Sequence, residues 1–477
     1  MGKTTGFKEY PRELPEKRPV AERIRDYREV YLPFPRERLL RQAARCMDCG
    51  VPTCHSGCPL GNLIPDWNDQ VYQERWRAAA DLLHRTNNFP EFTGRLCPAP
   101  CEEACVLAVN EPPVAIELIE KEIIEHAFAH GWVVPEPPER RTGKRCAVVG
   151  SGPAGLACAQ QLNRAGHQVT VFERDDRLGG LLRYGIPDFK MDKAVIDRRL
   201  SILAAEGIRF RTGVHVGVDL TPEELASFDA MILCTGAGVG REMPVPGRGL
   251  RGVHLAMEYL PAQNRRVAGD DVGPDAVTAR GKRVIVLGGG DTSADCIGNC
   301  IREGAARVQN FIKYPEPPTG RPDGQPWPYW PDRLRTTPAH EEGCDRRWSL
   351  MATAFLGTGN RVTGVRTVDM AVLGMGRNAK PLLASVPGTE REWPADLVLL
   401  AVGFTGPETD TIVEQYGLAL DRAGRIRIDG DFMTSRPGIF AAGDARLGAT
   451  LIVRAIADGR EAADRKSTRL NSSHRIR

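Results

Sequence analysis

Several features are scarce or absent in this chain, and each one removes a class of function. No apolar run approaches the roughly eighteen residues of a membrane span, and the run over 397–402 fits a buried strand. The formal net charge is only +3, which is too small to indicate a nucleic acid or a membrane surface as a partner. Nothing ahead of the first cysteines resembles a signal peptide and the 13 cysteines are odd in number, so we expect reduced thiols in a cytoplasmic protein.

Composition and length are those of an ordinary globular protein with several domains. Hydrophobic residues make up 42% of the chain and charged residues 26%. At 477 residues there is room for two to four domains. Residues 1–40 are charged and interrupted by prolines, so we expect an arm that covers another part of the molecule, with one short helix over 20–30.

Seven of the cysteines form two tight groups, which are the most informative feature of the chain. These cysteines are Cys46, Cys49, Cys54 and Cys58, followed by Cys97, Cys101 and Cys105. Closely spaced thiolates favour a metal or an iron–sulfur cluster, because the thiolate is the ligand. Structural zinc usually takes two pairs of ligands, whereas the Cys-Pro steps at Cys58 and Cys97 are typical of ferredoxins. We therefore predict iron–sulfur clusters, with zinc or a redox sensor as the alternatives.

The cysteines lie within a predicted helical domain of about 140 residues. Apolar residues recur at helical intervals over 60–85 and again over 114–128. A proline-rich stretch over 135–138, followed by basic residues, predicts a linker into a different kind of fold.

A strand, a glycine-rich turn and a helix follow the linker without a gap. The turn is Gly150-Ser-Gly152-Pro-Ala-Gly155, and the strand after the helix ends at Glu173. Glycines let the chain approach a pyrophosphate at the helix N-terminus, and an acidic residue there accepts hydrogen bonds from a ribose. We predict a dinucleotide site, because a turn that only packs a helix on a sheet leaves Glu173 unexplained.

The same pattern recurs further along the chain with Gly288-Gly-Gly290-Asp-Thr. The strand after its helix is followed by Lys313, where the first pattern has an acidic residue. A cation at this place favours a 2′-phosphate and therefore NADPH. Glu316 lies close by and an arginine comes only at Arg321, so NADH remains an alternative.

A third stretch completes the pattern of a flavoprotein. A strand that ends in Gly443-Asp444 ahead of a helix, near Thr450, places a carboxylate where it can hold the ribityl chain of a flavin. A second predicted strand likewise ends in a glycine turn, at Gly236. After Asp464 the helical pattern breaks into a polar, basic stretch, so we interpret residues 465–477 as a non-native tail.

With these residues described, the chain resembles the small (β) subunit family of NADPH-dependent glutamate synthase. This family is similar to the N-terminal electron-transfer part of dihydropyrimidine dehydrogenase. The resemblance runs from about Tyr10 to Asp464 and is most specific in the cysteine pattern and in three further stretches. They are Asn87-Asn-Phe-Pro-Glu-Phe-Thr-Gly-Arg-Leu-Cys97, Gly179-Gly-Leu-Leu-Arg-Tyr-Gly-Ile-Pro187 and Pro326-Trp-Pro-Tyr-Trp-Pro331. The last stretch is typical of the glutamate synthase branch.

The resemblance implies an α/β fold with an all-α N-terminal iron–sulfur domain and two Rossmann-like domains. The iron–sulfur domain spans 1–140, and the NADPH-binding domain over 251–392 is inserted between two parts of the FAD-binding domain, 141–250 and 393–464. The expected FAD-binding residues are Gly150, Gly152, Pro153, Ala154, Gly155, Glu173, Gly180, Leu181, Gly236, Gly443, Asp444 and Thr450. The expected NADPH-binding residues are Gly288, Gly290, Asp291, Thr292 and Lys313.

The resemblance also implies two [4Fe–4S] clusters that share the cysteines in a crossed manner. The first cysteine set, for one cluster, is Cys46, Cys49, Cys54 and Cys105. The second set is Cys58, Cys97 and Cys101 with a non-cysteine ligand, Glu120, for which Glu117 is the alternative. A carboxylate in place of the relative's glutamine should make that cluster more difficult to reduce.

The function that the resemblance implies is the electron input of glutamate synthase. Hydride passes from NADPH to FAD, and single electrons then pass through the clusters to a large (α) subunit with FMN, which makes glutamate from glutamine and 2-oxoglutarate. We assign no catalytic side chain beyond the cofactors and expect a hetero-oligomer. The alternatives are a subunit of another flavin complex, of ferredoxin–NADP oxidoreductase, sulfide dehydrogenase or dihydropyrimidine dehydrogenase type, and a zinc-stabilised FAD-binding protein without turnover.

Overall fold

The structure, a computed structural model, describes residues 2–376 and 381–471, apart from the side chains of residues 222 and 466–471. The N-terminal arm is mostly extended and contains only two short helices, α1 (Gly6–Glu9) and α2 (Val20–Arg23). The predicted helix over 20–30 is therefore only four residues long. The chain turns instead at Asp26, whose carboxylate accepts a hydrogen bond of 3.0 Å from the Arg28 N–H.

A helical region follows the arm and contains all seven grouped cysteines. Its helices are α3 (Arg36–Ala44), α4 (Thr53–Gly57), α5 (Ile64–Tyr72), α6 (Trp76–Thr86), α7 (Pro90–Leu96), α8 (Pro100–Glu103) and α9 (Ile116–Ala129). The predicted helix over 60–85 is two helices, because Glu74 takes a φ of 58° and turns the chain between α5 and α6. The apolar faces of these helices enclose a core around Trp67, Leu83 and Ile119, none of which is exposed.

The next part of the chain builds a parallel sheet, which we call the first unit. Its elements are β1 (Arg145–Val149), α10 (Pro153–Arg164), β2 (Gln168–Phe172), α11 (Leu181–Tyr184), α12 (Lys193–Ala205), β3 (Arg209–Arg211), α13 (Pro222–Leu225), β4 (Ala230–Leu233) and β5 (Val239–Gly240). β1 pairs in parallel with β2 on one side and with β4 on the other. The predicted βαβ arrangement around the first glycine turn is confirmed.

A second parallel sheet and an antiparallel sheet follow, and together they form the second unit. Their elements are β6 (Val253–Leu255), α14 (Ala256–Val267), β7 (Arg283–Leu287), α15 (Asp291–Arg302), β8 (Arg307–Phe311), α16 (Pro338–Glu341), β9 (Asp345–Arg347), β10 (Leu350–Thr358), β11 (Arg361–Met375), β12 (Pro381–Ser385), β13 (Arg391–Pro394), β14 (Leu397–Leu400) and β15 (Phe404–Gly406). The parallel strands have the order β6-β14-β7-β8-β9, and β10 to β13 form the antiparallel sheet.

The chain then returns to the first unit. Its last elements are α17 (Ile412–Tyr416), β16 (Ile439–Ala441), α18 (Asp444–Leu447) and α19 (Ile452–Asn471). β16 pairs in parallel with β4, so the second unit is inserted within the first, as the resemblance implies. The expected boundary before residue 393 is too early, because β14 lies beside β7 in the second sheet. The chain passes from the first unit to the second through β5 and returns through β15. These two connecting strands pair with each other in antiparallel fashion.

The last helix, α19, is longer than the sequence pattern indicates. The predicted break after Asp464 is wrong, since α19 continues to Asn471. Residues 472–477 of the expected non-native tail lie outside the described residues, and the origin of this tail stays a prediction. Within the described ranges, no helix combines the length and apolar character that a bilayer crossing requires.

Candidate functional site

One cavity of about 1100 Å³ lies where the arm, the helical region and both units meet. The first unit contributes the first glycine turn, Glu173, the start of α11 and the segment around Asp444. The second unit contributes Asp291, and the helical region contributes Cys97. We call it the central cavity, and its volume is at the upper end for a small-molecule site. The predicted FAD site, one residue of the predicted NADPH site and one cysteine of the second set therefore border the same space.

The first glycine turn is shaped by close contacts that a side chain would prevent. Gly150 has a φ of 99°, and a Cβ there would come within 2.4 Å of the Cys234 carbonyl oxygen. At Gly155 a Cβ would meet the Gly150 carbonyl oxygen at 2.0 Å, so Gly155 allows α10 to pack on the turn and does not line the cavity. No atom lies within 4 Å of the Cβ position of Gly152, and its backbone is open to a ligand.

Glu173 is held at the end of β2 by hydrogen bonds from the chain itself. The Ser151 N–H and hydroxyl donate to one carboxylate oxygen, over 3.0 and 2.5 Å. The Asp175 N–H donates to the other oxygen over 3.0 Å. The side chain borders the central cavity. The oxygen that accepts only from the Asp175 N–H retains acceptor capacity for a further hydrogen bond, such as one from a ribose hydroxyl.

Asp444 borders the same cavity from the opposite segment of the first unit. The Thr450 hydroxyl donates to its carboxylate over 2.6 Å, and burial raises the pKa of Asp444. Gly443 does not line the cavity but places Asp444, because its N–H donates to Asp458 over 2.6 Å. Among the other predicted residues Pro153, Ala154, Gly180, Leu181, Gly236 and Thr450 line the cavity.

The second glycine turn repeats this local geometry. Gly288 has a φ of 132°, and a Cβ there would meet the Ala401 carbonyl oxygen at 2.1 Å. The Gly288 carbonyl accepts hydrogen bonds from the Ser293 hydroxyl and from the buried Asn310 amide, over 2.9 and 2.7 Å. The sequence reading missed Asn310, since a buried amide in a strand has no local pattern.

The predicted NADPH-binding residues are only partly brought together. Asp291 lines the central cavity, whereas Gly288, Gly290, Thr292 and Lys313 lie outside its lining. Lys313 follows β8 and is exposed, with its ammonium 5.0 Å from the centre of the Tyr314 ring. The position of Lys313 at the carboxyl end of the strand after the glycine turn is the one at which a ribose phosphate is recognised.

The first cysteine set converges on one small site. Cys46, Cys49, Cys54 and Cys105 line a single cavity of about 20 Å³. Burial, followed by the neighbouring thiols of Cys46, Cys105 and Cys49, raises the pKa of Cys54 to about 12. A raised pKa means that ionising these thiols is unfavourable. A bound cation or cluster offsets this, because it stabilises thiolates. The four residues therefore fit an iron–sulfur cluster by donor type and by convergence.

The second set converges as well, together with both candidate acidic ligands. Burial and then the charges of Cys58, Glu102, Cys97 and Glu120 hold the pKa of Cys101 well above its usual range. Cys97 lies at the edge of the central cavity, and it is the only member of the set that does so among the described residues. Cys58, Cys97, Cys101 and Glu120 thus share one neighbourhood.

Glu120 and Glu117 differ in their surroundings. Glu120 is 6% exposed, and it accepts hydrogen bonds from the Asn87 amide, over 2.9 Å, and from the Thr93 hydroxyl. Burial raises the pKa of Glu120 to about 7. The charge of Glu120 raises the pKa of the thiols of Cys58, Cys97 and Cys101, while Glu117 has the larger effect on Cys97. Within the described ranges, no three His, Cys, Asp or Glu side chains lie close enough to hold a single metal ion.

The stretch Pro326–Pro331 contacts the helical region, which its sequence did not predict. The indole N–H of Trp327 donates to the Cys105 carbonyl oxygen over 3.1 Å. Glu103 accepts ion-pair contacts from Arg321, Arg333 and Arg335 on the same loop. A loop of the second unit therefore touches the backbone of a predicted cluster ligand.

Family models match three parts of the chain. A model described as dihydropyrimidine dehydrogenase domain II, 4Fe-4S cluster, matches residues 23–132. A NAD(P)-binding Rossmann-like domain matches residues 148–215, and a pyridine nucleotide-disulphide oxidoreductase model matches residues 345–459. These matches confirm the predicted fold class and the predicted kinds of cofactor, without giving the number of clusters.

Curated relatives are similar over nearly the whole chain. A glutamate synthase [NADPH] small chain from Mycobacterium tuberculosis is 55% identical, covering 97% of this chain and 95% of the relative. The protein of the same name from Bacillus subtilis is 46% identical, covering 97% of each. A glutamate synthase [NADH] from Saccharomyces cerevisiae is 43% identical over 97% of this chain, which corresponds to only 22% of the yeast protein.

A solved structure with a similar fold is FprA from Mycobacterium tuberculosis, determined also in complex with NADPH. The His57Gln form matches with a TM-score of 0.56 over 69% of this chain and 84% of FprA, at 20% identity. At this identity the likeness concerns the fold alone.

Proposed function

The chain belongs to the family of glutamate synthase small chains, and from this premise we propose that it is the electron-input subunit of a glutamate synthase. It is an oxidoreductase that oxidises NADPH and passes single electrons through iron–sulfur clusters to a large partner subunit, which makes glutamate from glutamine and 2-oxoglutarate. Bound FAD supplies the exchange between the two-electron chemistry of a nicotinamide and the one-electron chemistry of the clusters.

The observation that supports this function best is that three predicted cofactor sites border one cavity. The first glycine turn and Glu173 lie on one wall, Asp291 on a second and Cys97 on a third. Glu173 and Asp444 would hold the ribose and the ribityl chain of FAD, while the turn at Gly152 faces its pyrophosphate. The chain itself contributes binding, orientation and a buried environment, and we assign no acid–base residue.

The positions of the two cysteine sets indicate the order in which electrons would pass through the two clusters. Cys97 of the second set borders the central cavity, whereas the members of the first set line a separate site. Beside the first set Val51 is 79% exposed, so this site lies near the protein surface. We infer that electrons leave the flavin through the second set and reach the partner through the first set.

The assignment of ligands remains part of this proposal. Cys46, Cys49, Cys54 and Cys105 would hold one [4Fe–4S] cluster, and Cys58, Cys97, Cys101 and Glu120 the other. Glu120 is preferred to Glu117 because its charge affects all three thiols of the second set. The NADPH-binding unit is proposed to end after β14, near the crossing formed by β5 and β15.

A large partner is supported by the length of the fused relatives. The region similar to this chain is 22% of the glutamate synthase of Saccharomyces cerevisiae, so most of that protein lies outside it. We propose that the corresponding partner here is a separate large subunit with its own FMN, and that the two form a hetero-oligomer. The names of the relatives include both NADPH and NADH forms, and Lys313 is our reason for proposing NADPH.

Electron transfer with and without the partner tests this function. The purified chain should oxidise NADPH with an artificial one-electron acceptor but form no glutamate from glutamine and 2-oxoglutarate. Addition of the large subunit should restore glutamate formation that depends on NADPH. A chain that binds FAD but does not oxidise NADPH with any acceptor would contradict the proposal.

A further inference from the structure

A buried ion pair joins the two units at the wall of the central cavity. Lys190 belongs to the first unit and Asp295 lies on α15 of the second. The Lys190 ammonium is 2.5 Å from a carboxylate oxygen of Asp295, and the two side chains are 22% and 4% exposed. Lys190 lines the central cavity, so its partly buried side chain lies next to the proposed ligand space.

The backbone that carries Lys190 is fixed against α15. A Cβ on Gly298 of α15 would come within 2.5 Å of the Phe189 ring, so Gly298 gives this ring its space. The Arg302 guanidinium lies 3.8 Å from the centre of the same ring on the next turn of α15. Met191 is fully buried. Lys190 therefore has little freedom to leave the junction of the two units.

The charges around Lys190 keep its side chain protonated. Burial alone would lower the pKa of Lys190, but the carboxylates of Asp295 and Asp291 outweigh this effect and raise it. Tyr31 of the arm and His340 of α16 also lie within electrostatic reach. A fixed positive charge is thus present in the cavity, beside the residue that begins α15.

A purely structural pair would have little reason to be charged. Replacing a buried ion pair by well-packed apolar side chains is often neutral or stabilising, because both charges must leave water. Breaking such a pair at one partner is costly, because the other charge is left in the interior without compensation. The pair at Lys190 borders a ligand cavity and connects the two nucleotide units, and both features point to a role in the reaction.

We propose that Lys190, held by Asp295, is a positioning residue that aligns the two nucleotide units for hydride transfer and places a positive charge in their shared cavity. This inference rests on the proposed function. Hydride transfer breaks a C–H bond of the nicotinamide and forms an N–H bond on the flavin, and it carries two electrons and one proton. With FAD and NADPH bound, negative charge would therefore enter the cavity at the flavin, and the Lys190 ammonium would stabilise it.

Three variants and one control separate alignment from simple stability. Lys190→Gln removes the cation, Lys190→Arg keeps it, and the double variant Lys190→Met/Asp295→Asn removes both charges without leaving either unpaired. The control is Arg177→Gln, which removes another ion pair between the two units, that of Arg177 with Asp270 over 2.6 Å, outside the cavity lining.

The measurements are FAD content, the reduction potential of the bound flavin, and kcat and KM for NADPH with an artificial acceptor. We expect Lys190→Gln and the double variant to retain FAD, to lower the flavin potential and to lower kcat about tenfold to a hundredfold, with KM changed less. Lys190→Arg should recover most of the potential and the rate, and Arg177→Gln should resemble the wild type.

The outcomes distinguish this inference from the proposed function. The inference would be overturned if the double variant had the flavin potential and kcat of the wild type. It would also be overturned if Arg177→Gln lowered the flavin potential and kcat as much as the Lys190 variants do. If Lys190→Gln does not fold, the double variant decides. If the wild type itself binds FAD but is not reduced by NADPH, the proposed function fails instead.

Discussion

Glu120 is the acidic residue that we propose as the fourth ligand of the second cysteine set. Its carboxylate is buried beside three thiols and held by the Asn87 amide and the Thr93 hydroxyl. Burial raises its pKa to about 7, so the free carboxyl gives up its proton with difficulty. A bound cluster would favour the ionised form, because iron attracts the carboxylate.

Replacing Glu120 tests the ligand assignment directly. We expect Glu120→Ala to lower the iron content from about eight to about four per chain, with FAD still bound, because one of two [4Fe–4S] sites loses a ligand. The measurement is iron and labile sulfide after anaerobic purification. Glu117→Ala is the matched control and should retain all the iron. Loss of iron from Glu117→Ala alone would move the ligand role to Glu117.

Lys313 is the residue on which the proposed preference for NADPH rests. Lys313→Glu should weaken NADPH about tenfold to a hundredfold, because a charge-assisted contact of about 1.5–3 kcal/mol becomes a repulsion. NADH should weaken much less, as it lacks the 2′-phosphate. Dissociation constants from binding titrations measure both, and Glu316→Gln serves as a control for a nearby change of charge. An equal loss for the two nucleotides would remove the reason for proposing NADPH.

Among the elements, the strands and glycine turns could be predicted from short stretches of sequence. Helix breaks and the assignment of a strand to a sheet could not, because they depend on residues far away in the chain. Both glycine turns lie where they were predicted, since their φ values and close contacts need glycine. The break at Glu74 was missed because a positive φ at a charged residue has no local signal. β14 was assigned to the wrong unit, as a buried strand does not indicate which sheet it joins.

Residues that act across units were the least predictable. Trp327 was noted only as part of a characteristic stretch, yet its indole meets the carbonyl of Cys105, more than two hundred residues away along the chain. Lys190 was not singled out, because its partner Asp295 lies on a distant helix. Such contacts follow from tertiary packing, which short-range periodicity does not encode.

The loop that carries Trp327 is expected to stabilise the first cysteine set. Trp327→Phe removes one hydrogen bond, worth about 1 kcal/mol, from the backbone of Cys105. Iron should therefore be released to a chelator several times faster from this variant than from the wild type. Tyr329→Phe is the matched control, since Tyr329 lies on the same loop and is 71% exposed. Equal release rates for the two variants would show that the contact is incidental.

At the scale of the whole molecule, the arm connects the parts that must work together. Arg23 of the arm and Arg302 of α15 both contact Glu342, over 2.7 and 2.5 Å, and all three side chains are almost fully buried. The arm also lines the central cavity through Tyr31. Residues 1–40 are predicted to be an arm that covers another part of the molecule. In the structure, residues of this arm line the central cavity.

Loss of the buried charge cluster should loosen the arm and destabilise the second unit. We expect Glu342→Ala to lower the free energy of unfolding by about 3–5 kcal/mol, because the buried Arg302 loses its carboxylate partner and Arg23 keeps only Glu341, at 3.3 Å. Urea unfolding of the FAD-loaded protein measures this change. Glu341→Ala is the control and should cost less than about 1 kcal/mol, since Glu341 is 37% exposed and Arg23 retains its shorter contact with Glu342. Similar midpoints for both variants would contradict the role of the cluster.

The central claim is that a nicotinamide–flavin unit is connected to iron–sulfur clusters in the same chain. The most direct measurement is the cofactor content of anaerobically purified protein, followed by addition of NADPH alone. We predict one FAD, with about eight iron atoms and about eight labile sulfides per chain, and loss of cluster absorbance when NADPH is added. Protein that retains FAD but contains zinc and no labile sulfide would contradict the claim, as would clusters that NADPH leaves oxidised while the flavin is reduced.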